Sequence, residues 1–243
     1  MIIASLLAQA PEVPEGFFTR RDPEDLSCVA ENGFCPGWIV ENFERYVDPF
    51  FEHVYLVAVS VAIGFAIAFC LGLLAHRQRW LTGPLIGVTA ALYTIPSIAL
   101  FLLLLPITGR GNTTAIIALV AYTQLIIFRN MVNGLRNVPA EAVDAAAGMG
   151  LTPTQTLLRV EVPMALPELL AGLRIAASTT VGLATLAFFA GAGGLGAQID
   201  AQINFKSNVE VAGGLAVLLA AALDLFVLGM QRALMPWQRA APA

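Results

Sequence analysis

Asp144-Ala-Ala-Ala-Gly-Met-Gly-Leu-Thr-Pro-Thr-Gln-Thr-Leu-Leu-Arg-Val-Glu-Val-Pro163 is a small-residue, polar interval set between long apolar segments. Its punctuation is helical. Pro139 suits the first turn of a helix. Residues 140–147 are rich in alanine, with Glu141 and Asp144 towards the N-terminal end where acids are favoured. Gly148 and Gly150 then stop the helix. Thr152-Pro-Thr-Gln155 has the form of a capping box with proline at the first helical position, which starts a second short helix running to about Val160. Pro163 and Pro167 are expected to close the unit. An alanine-faced helix is narrow, so two such helices make a knob that fits a groove on another protein.

The rest of the chain says where this knob sits. Of 243 residues, 58% are hydrophobic and 12% charged, against roughly 25% charged in a soluble domain. Crossing a hydrocarbon core of about 30 Å takes about 20 helical residues. Apolar runs of that order lie at about 54–75, 84–106, 113–129, 167–190 and 209–231. The chain therefore reads as an all-α membrane protein with five transmembrane helices. The third run is the shortest and most polar, with Thr113, Thr114, Thr123 and Gln124. Arginine clusters follow the first run (Arg77, Arg79), lie between the third and fourth (Arg129, Arg136, Arg159) and follow the fifth (Arg232, Arg239). The opposite side has only Arg110 and Lys206 in its short loops. Basic residues favour cytoplasmic loops, so the N-terminus is expected outside and the C-terminus inside. Residues 137–165 become a cytoplasmic loop, 53–235 the membrane domain and 236–243 a cytoplasmic tail.

Residues 1–52 read as an external acidic segment. From residue 11 to 52 there are ten acids against three bases, a balance of −7 in a chain whose total is −4. With the acidity confined there, no nucleic-acid partner is expected. Cys28 and Cys35 lie in this segment, where a disulfide persists in an oxidising compartment; a bond between them and two ordinary thiols both remain open. The first ten residues resemble a signal peptide but lack its basic start, which favours an uncleaved extension. Cys70 reads as a small packing residue.

Features within the spans suggest a pathway. Pro96 interrupts the second run inside Tyr93-Thr-Ile-Pro-Ser97 and frees a backbone carbonyl, which the flanking Thr94 and Ser97 are placed to satisfy. A kinked helix lining a path is the reading, with Tyr93, Thr94, Pro96 and Ser97 on it. Gly191-Ala-Gly-Gly-Leu-Gly196 is either closely packed or mobile at the external mouth, which makes Gly191, Gly193, Gly194 and Gly196 gate candidates. Asp224, deep in the fifth run, is costly without a partner and is expected to pair with Arg174 or Arg129.

The spacing Asp144-Ala-Ala, Gly150, Val160-x-Val162-Pro163 resembles the EAA loop of permease subunits in binding-protein-dependent ABC importers. Asp144 stands where that family usually has Glu, and Val replaces Ile and Leu at two positions. Tyr93-Thr-Ile-Pro-Ser-Ile-Ala-Leu-Phe101, Arg129-Asn130, Ala171-Gly-Leu-Arg174 and the glycine loop resemble, more narrowly, the osmoprotectant importers that carry glycine betaine, carnitine or choline. The resemblance implies the type I (MetI-like) permease fold in a bacterial inner membrane. It implies two permease subunits, identical or paralogous, over ATPase subunits that hold the ATP and magnesium, with an external binding protein delivering solute. No cofactor or metal is then expected on this chain. In that family the loop docks on the ATPase, which assigns Glu141, Asp144, Ala145, Ala146, Gly148, Gly150 and Pro163 to coupling.

Two other classes are less well supported. A secondary transporter or channel is favoured by Asp224 and the broken second run, but five spans without an internal repeat argue against it. A membrane enzyme would need a catalytic cluster, and His53 and His76 stand at opposite ends of one run with no Cys or His neighbour.

Overall fold

The computed structural model describes residues 28–30 and 32–235. The first ten residues, most of the acidic segment and the tail at 236–243 lie outside them. Ten helices follow one another in the described residues: α1 (Pro36–Glu41), α2 (Val47–Arg77), α3 (Thr82–Thr94), α4 (Ser97–Thr108), α5 (Asn112–Arg136), α6 (Ala140–Gly148), α7 (Pro153–Thr156), α8 (Val162–Ala184), α9 (Leu195–Ala201) and α10 (Lys206–Leu234). Short 3-10 turns link several of them.

The third apolar run was expected to be the shortest span, and it is the centre of the molecule. Helix α5 is 25 residues long and buries Ala115, Ala118, Leu119, Tyr122, Ile127, Phe128, Met131 and Leu135, a three-and-four spacing that covers more than one face. About 56% of its most apolar stretch is buried, against 33% for α2 and 22% for α10. The polar residues that made it look like a weak span are there because it faces protein. Thr123 returns its hydroxyl to the Val120 carbonyl at 2.7 Å, and Gln124 Nε2 donates across to the Gly64 carbonyl on α2 at 3.2 Å. In hydrocarbon such groups need a protein partner.

Helices α2 and α8 pack against α5, and α10 packs on α8. The close approaches fall at particular glycines. A Cβ on Gly64 would overlap Thr123, on Gly72 it would overlap Met131, and on Gly172 it would lie 2.6 Å from the Asn130 Cβ. Gly87, Gly182, Gly213 and Gly214 have nothing within 4 Å. Small residues let backbones approach where lipid gives no drive to associate, and only the first group does so within this chain.

By length and apolarity, α2 with its preceding turn, α5 and α10 qualify as membrane spans, and α3 with α4 makes a fourth if the bent pair counts as one. The second run is not a gently kinked helix: α3 and α4 meet at 98° around Ile95-Pro96. Helix α8 has 23 residues, carries Glu168 and Arg174, and is not among the helices that qualify. It begins at Val162, not 167, and it takes in both Pro163 and Pro167.

The described part of the acidic segment, residues 28–30 and 32–46, forms a folded cap. Cys28 and Cys35 are joined by a disulfide. Cys35, Trp38 and Tyr46 are buried, and the Trp38 ring meets Phe205 edge-on at 4.6 Å. The cap closes on the start of α10. Asn32 Oδ1 accepts the Lys206 N–H at 2.7 Å, Ser207 Oγ accepts the Cys35 N–H at 2.9 Å and donates to the Gly33 carbonyl at 3.0 Å, and the Tyr46 hydroxyl donates to Asn208 Oδ1 at 3.0 Å. Helix N-termini leave backbone donors without partners, and Asn32 supplies one from far away in sequence. For the membrane core, Gly64→Ala is expected to cost about 1–3 kcal/mol by overpacking, lowering the thermal midpoint in detergent while Gly87→Ala leaves it within error.

Candidate functional site

The knob is built by its caps. Pro139 occupies the N-cap of α6. At the other end Gly150 has φ of +80°, its N–H reaches the Ala147 carbonyl at 2.9 Å, and the Leu151 N–H reaches Ala146 at 3.1 Å. That pair of bonds is the Schellman arrangement, which a left-handed residue completes most readily as glycine. The Gly150 Cα faces open space, so backbone conformation, not crowding, demands the glycine. Two residues later Thr152 and Gln155 form the capping box: Gln155 Oε1 accepts the Thr152 N–H at 2.9 Å, and Thr152 Oγ1 accepts the Gln155 N–H at 3.4 Å.

Glu141, Asp144, Ala145, Gly148 and Gly150 are exposed, the four helical ones along one face of α6. Ala146 is 1% exposed and points inward, so it packs the knob and offers nothing to a partner. Pro163 lies in the first turn of α8, away from α6. Between α7 and α8 runs a π-turn, Leu157–Glu161. A proline lacks the N–H and crowds the carbonyl four residues back, which for Pro163 is that of Arg159. Widening the helix there relieves the crowding. The chain thus passes from knob into α8 without a break, where the two prolines were expected to end it.

The knob's inner side faces the C-terminal end of α2. His76 Nε2 lies 2.6 Å from Glu161 Oε2, and Arg77 Nη2 donates to Thr154 Oγ1 at 3.0 Å. A cavity of about 540 Å³ lies beside this junction, lined among others by Arg79, Arg136, Asp144 and Glu161.

At the helix break, Pro96 has no N–H to offer the Leu92 carbonyl, which instead accepts the Ile95 N–H at 3.3 Å; the Ile95 carbonyl, between the two helices, accepts from the Tyr122 hydroxyl of α5. Thr94 instead bonds its own helix at the Ala91 carbonyl, 2.7 Å away, and Ser97 makes no side-chain hydrogen bond among the described residues. Tyr93 is 39% exposed and meets Tyr122 edge-on at 5.8 Å. Tyr122 escaped the sequence reading because nothing local ties it to residue 95.

The glycine loop is at the opposite end from the knob. Gly191 and Gly194 have φ of +79° and +86°. A Cβ on Gly193 would overlap the Glu52 carboxylate, and one on Gly196 would overlap the Thr185 carbonyl. Glu52 Oε2 accepts the Gly194 N–H at 3.1 Å while its Oε1 accepts from Asn112 at 3.4 Å. Buried His53 sits beside it, with Nε2 at 3.2 Å from the Val181 carbonyl. Of the two readings, packed or mobile, the loop has the geometry of a packed joint.

Arg174 and Asp224 meet as a two-pronged ion pair, Nε to Oδ1 at 2.8 Å and Nη2 to Oδ2 at 2.7 Å. Arg129 is exposed and pairs with no described residue. No cluster of metal-ligating side chains occurs among the described residues.

The helical fold has known counterparts. The model of the family described as "Binding-protein-dependent transport system inner membrane component" matches residues 60–240. The chain belongs to this family. Among curated relatives, the permease is 38% identical over 206 residues to the osmoprotectant import permease protein OsmW of Salmonella typhimurium, covering 82% of this chain and 96% of the relative. It is 34% identical over 188 residues to the choline transport system permease protein OpuBB of Bacillus subtilis (76% and 87% covered), and 34% over 190 to the carnitine transport permease protein OpuCB of Listeria monocytogenes (78% and 87%). Among solved structures it resembles an inward-facing MetNI methionine ABC transporter at TM-score 0.69 and 27% identity, covering 78% of this chain and 95% of that one. An amino acid ABC transporter, at TM-score 0.67 and 16% identity over 81% and 97%, shares the fold. The architecture is therefore the all-helical type I permease fold.

Two outcomes test the local geometry. Thr152→Ala should cost about 1 kcal/mol, read as faster hydrogen exchange at the Gln155 and Thr156 amides with the membrane core unaffected. Asp224→Asn should lower the yield of folded permease by leaving Arg174 without its partner. Neutralising Arg174 in the same chain should restore it, and neutralising Arg129 should not.

Proposed function

We propose that this permease is the transmembrane subunit of an ATP-driven importer for quaternary-amine osmoprotectants such as glycine betaine, carnitine or choline. The observation that carries the substrate class is the set of relatives named for osmoprotectant, choline and carnitine transport, each spanning more than three quarters of the chain. A related importer of another small solute, such as an amino acid, is the alternative, and the likeness to the methionine transporter is the observation that favours it.

In this reading the five spans are α2, the bent pair α3 and α4, α5, α8 and α10. Arginines at 77, 79, 129, 136, 159 and 232 support a cytoplasmic knob and an external disulfide cap, and the family resemblance supports a bacterial inner membrane. The subunit is not itself catalytic. ATPase subunits, holding the ATP and magnesium, dock on the exposed face of α6 through Glu141, Asp144, Ala145 and Gly148, with Gly150 setting its exit. A second permease subunit, identical or paralogous, completes the membrane pore, and an external binding protein delivers solute to the face formed by the cap and the glycine loop. Nucleotide binding closes the ATPase pair, the knobs follow, and the spans pass from inward-open to outward-open as a shift of population. The helix break at Tyr93, Thr94, Pro96 and Ser97 lines the path, and residues 191–196 close its outer end. The geometry of the Arg174–Asp224 pair favours a structural role over proton transfer, because both carboxylate oxygens are occupied by one guanidinium.

Co-expression with the cognate ATPase tests the docking surface. The wild-type permease should hold the ATPase through purification, and Gly150→Trp should release it while leaving membrane insertion intact. A complex indifferent to changes at residues 141–150 overturns the assignment.

A further inference from the structure

Two neighbouring residues at the end of α2 reach the two halves of the coupling segment separately. His76 pairs with Glu161 in the π-turn, and Arg77 donates to Thr154 in the capping-box helix. Among the described residues, no other side-chain hydrogen bond or ion pair joins α2 to residues 140–161. The space on either side of the first tie is hollow. The cavity of about 540 Å³ lies on one side and another of about 490 Å³ on the other, and His76, Val143 and Glu161 line both. Glu161 is 8% exposed, and a carboxylate so placed is costly unless it is paired. A contact that served only to pack would be apolar and would fill those spaces. The ties here bridge a gap, so they carry displacement between segments that otherwise touch little.

We propose that His76 and Arg77 are positioning residues that latch the end of α2 to the coupling segment, so that the first span follows the knob when the knob moves. Helix α8 needs no such device, because it continues from the knob through the π-turn. Helix α2 is remote in sequence from the knob; it packs on α5 and α8, and these side chains are its direct hydrogen-bonding ties to the coupling segment. The inference rests on the reading of residues 140–150 as the ATPase-docking surface. Its specific content is different: cutting the latch leaves docking and ATP hydrolysis in place and lowers the solute moved per ATP.

The test uses the assembled complex in proteoliposomes, with its ATPase and binding protein. Radiolabelled choline, carnitine and glycine betaine are offered in turn, and whichever the wild type accumulates is the probe. Three quantities are read: ATPase retained on purification, ATP hydrolysed, and solute taken up. His76→Ala should retain the ATPase and its hydrolysis while uptake per ATP falls about fivefold or more, the low end of usual coupling between sites. His76→Gln, which can still donate to Glu161, should recover most of the ratio. Arg77→Ala, a change on the exposed surface that leaves the core intact, should move the ratio in the same direction by less. An unchanged ratio in the His76→Ala, Arg77→Ala double variant overturns the latch, as does a proportionate fall of uptake and hydrolysis together. Should His76→Ala not fold, an unchanged ratio in Arg77→Ala overturns it alone. ATPase that stays on a Gly150→Trp complex overturns the docking reading instead, before any ratio is measured.

Discussion

In hydrocarbon a polar group has no water to turn to, and the structure is organised by where each such group finds its partner. Helix α5 is the main place of settlement. The Gln124 side-chain N–H finds the Gly64 carbonyl of α2, and the Tyr122 hydroxyl meets the Ile95 carbonyl exposed at the break between α3 and α4. Those two bonds explain why the most polar span lies at the centre, and how a helix can turn through 98° without leaving that carbonyl unpaired. The glycines at 64, 72 and 172 follow from the same demand, since partners on adjacent helices meet only if the backbones approach closely. The outer helices, α2 and α10, bury less and are correspondingly more apolar.

The far end of the molecule obeys the same rule with a different set of donors. Glu52 takes the backbone N–H of Gly194, Asn32 takes that of Lys206, and Ser207 bridges Cys35 and Gly33. Each is a side chain capping backbone that would otherwise be unpaired, and each joins segments more than 140 residues apart. Tight glycine contacts around Glu52, His53 and Thr185, together with the disulfide, make this end dense.

What could be read in advance was what local chemistry dictates. The knob was legible because Pro139, Gly150 and the Thr152–Gln155 pair act within a few residues of themselves, and long apolar runs announce spans by length alone. The charged partner of Asp224 was narrowed to two arginines by depth, and only packing of α8 on α10 chose Arg174. One reading failed because a distant segment supplied what the local sequence lacked. Thr94 and Ser97 looked like the partners of the broken helix because they are adjacent, whereas Tyr122 is 27 residues away. Pro163 and Pro167 looked like terminators because a proline ends an α-helix, but a π-turn just upstream accommodates the first of them. Ala146 differed again. Its place in a small-residue motif said that it lay close to something, and the direction turned out to be inward.

The two ends are therefore held by unlike means. At the far end the ties are covalent, backbone-capping or enforced by glycine contacts that admit no side chain. At the knob end, the ties between α2 and the coupling segment are the His76–Glu161 contact between cavities and one exposed hydrogen bond. Local opening is easiest where few buried contacts must be lost, so the scaffold resists displacement at the cap and yields at the knob. Continuity through the π-turn then matters more than any single contact. The unbroken passage from α7 to α8 gives the yielding end a lever into the centre of the bundle, and α5, packed against α8, is an element that lever meets.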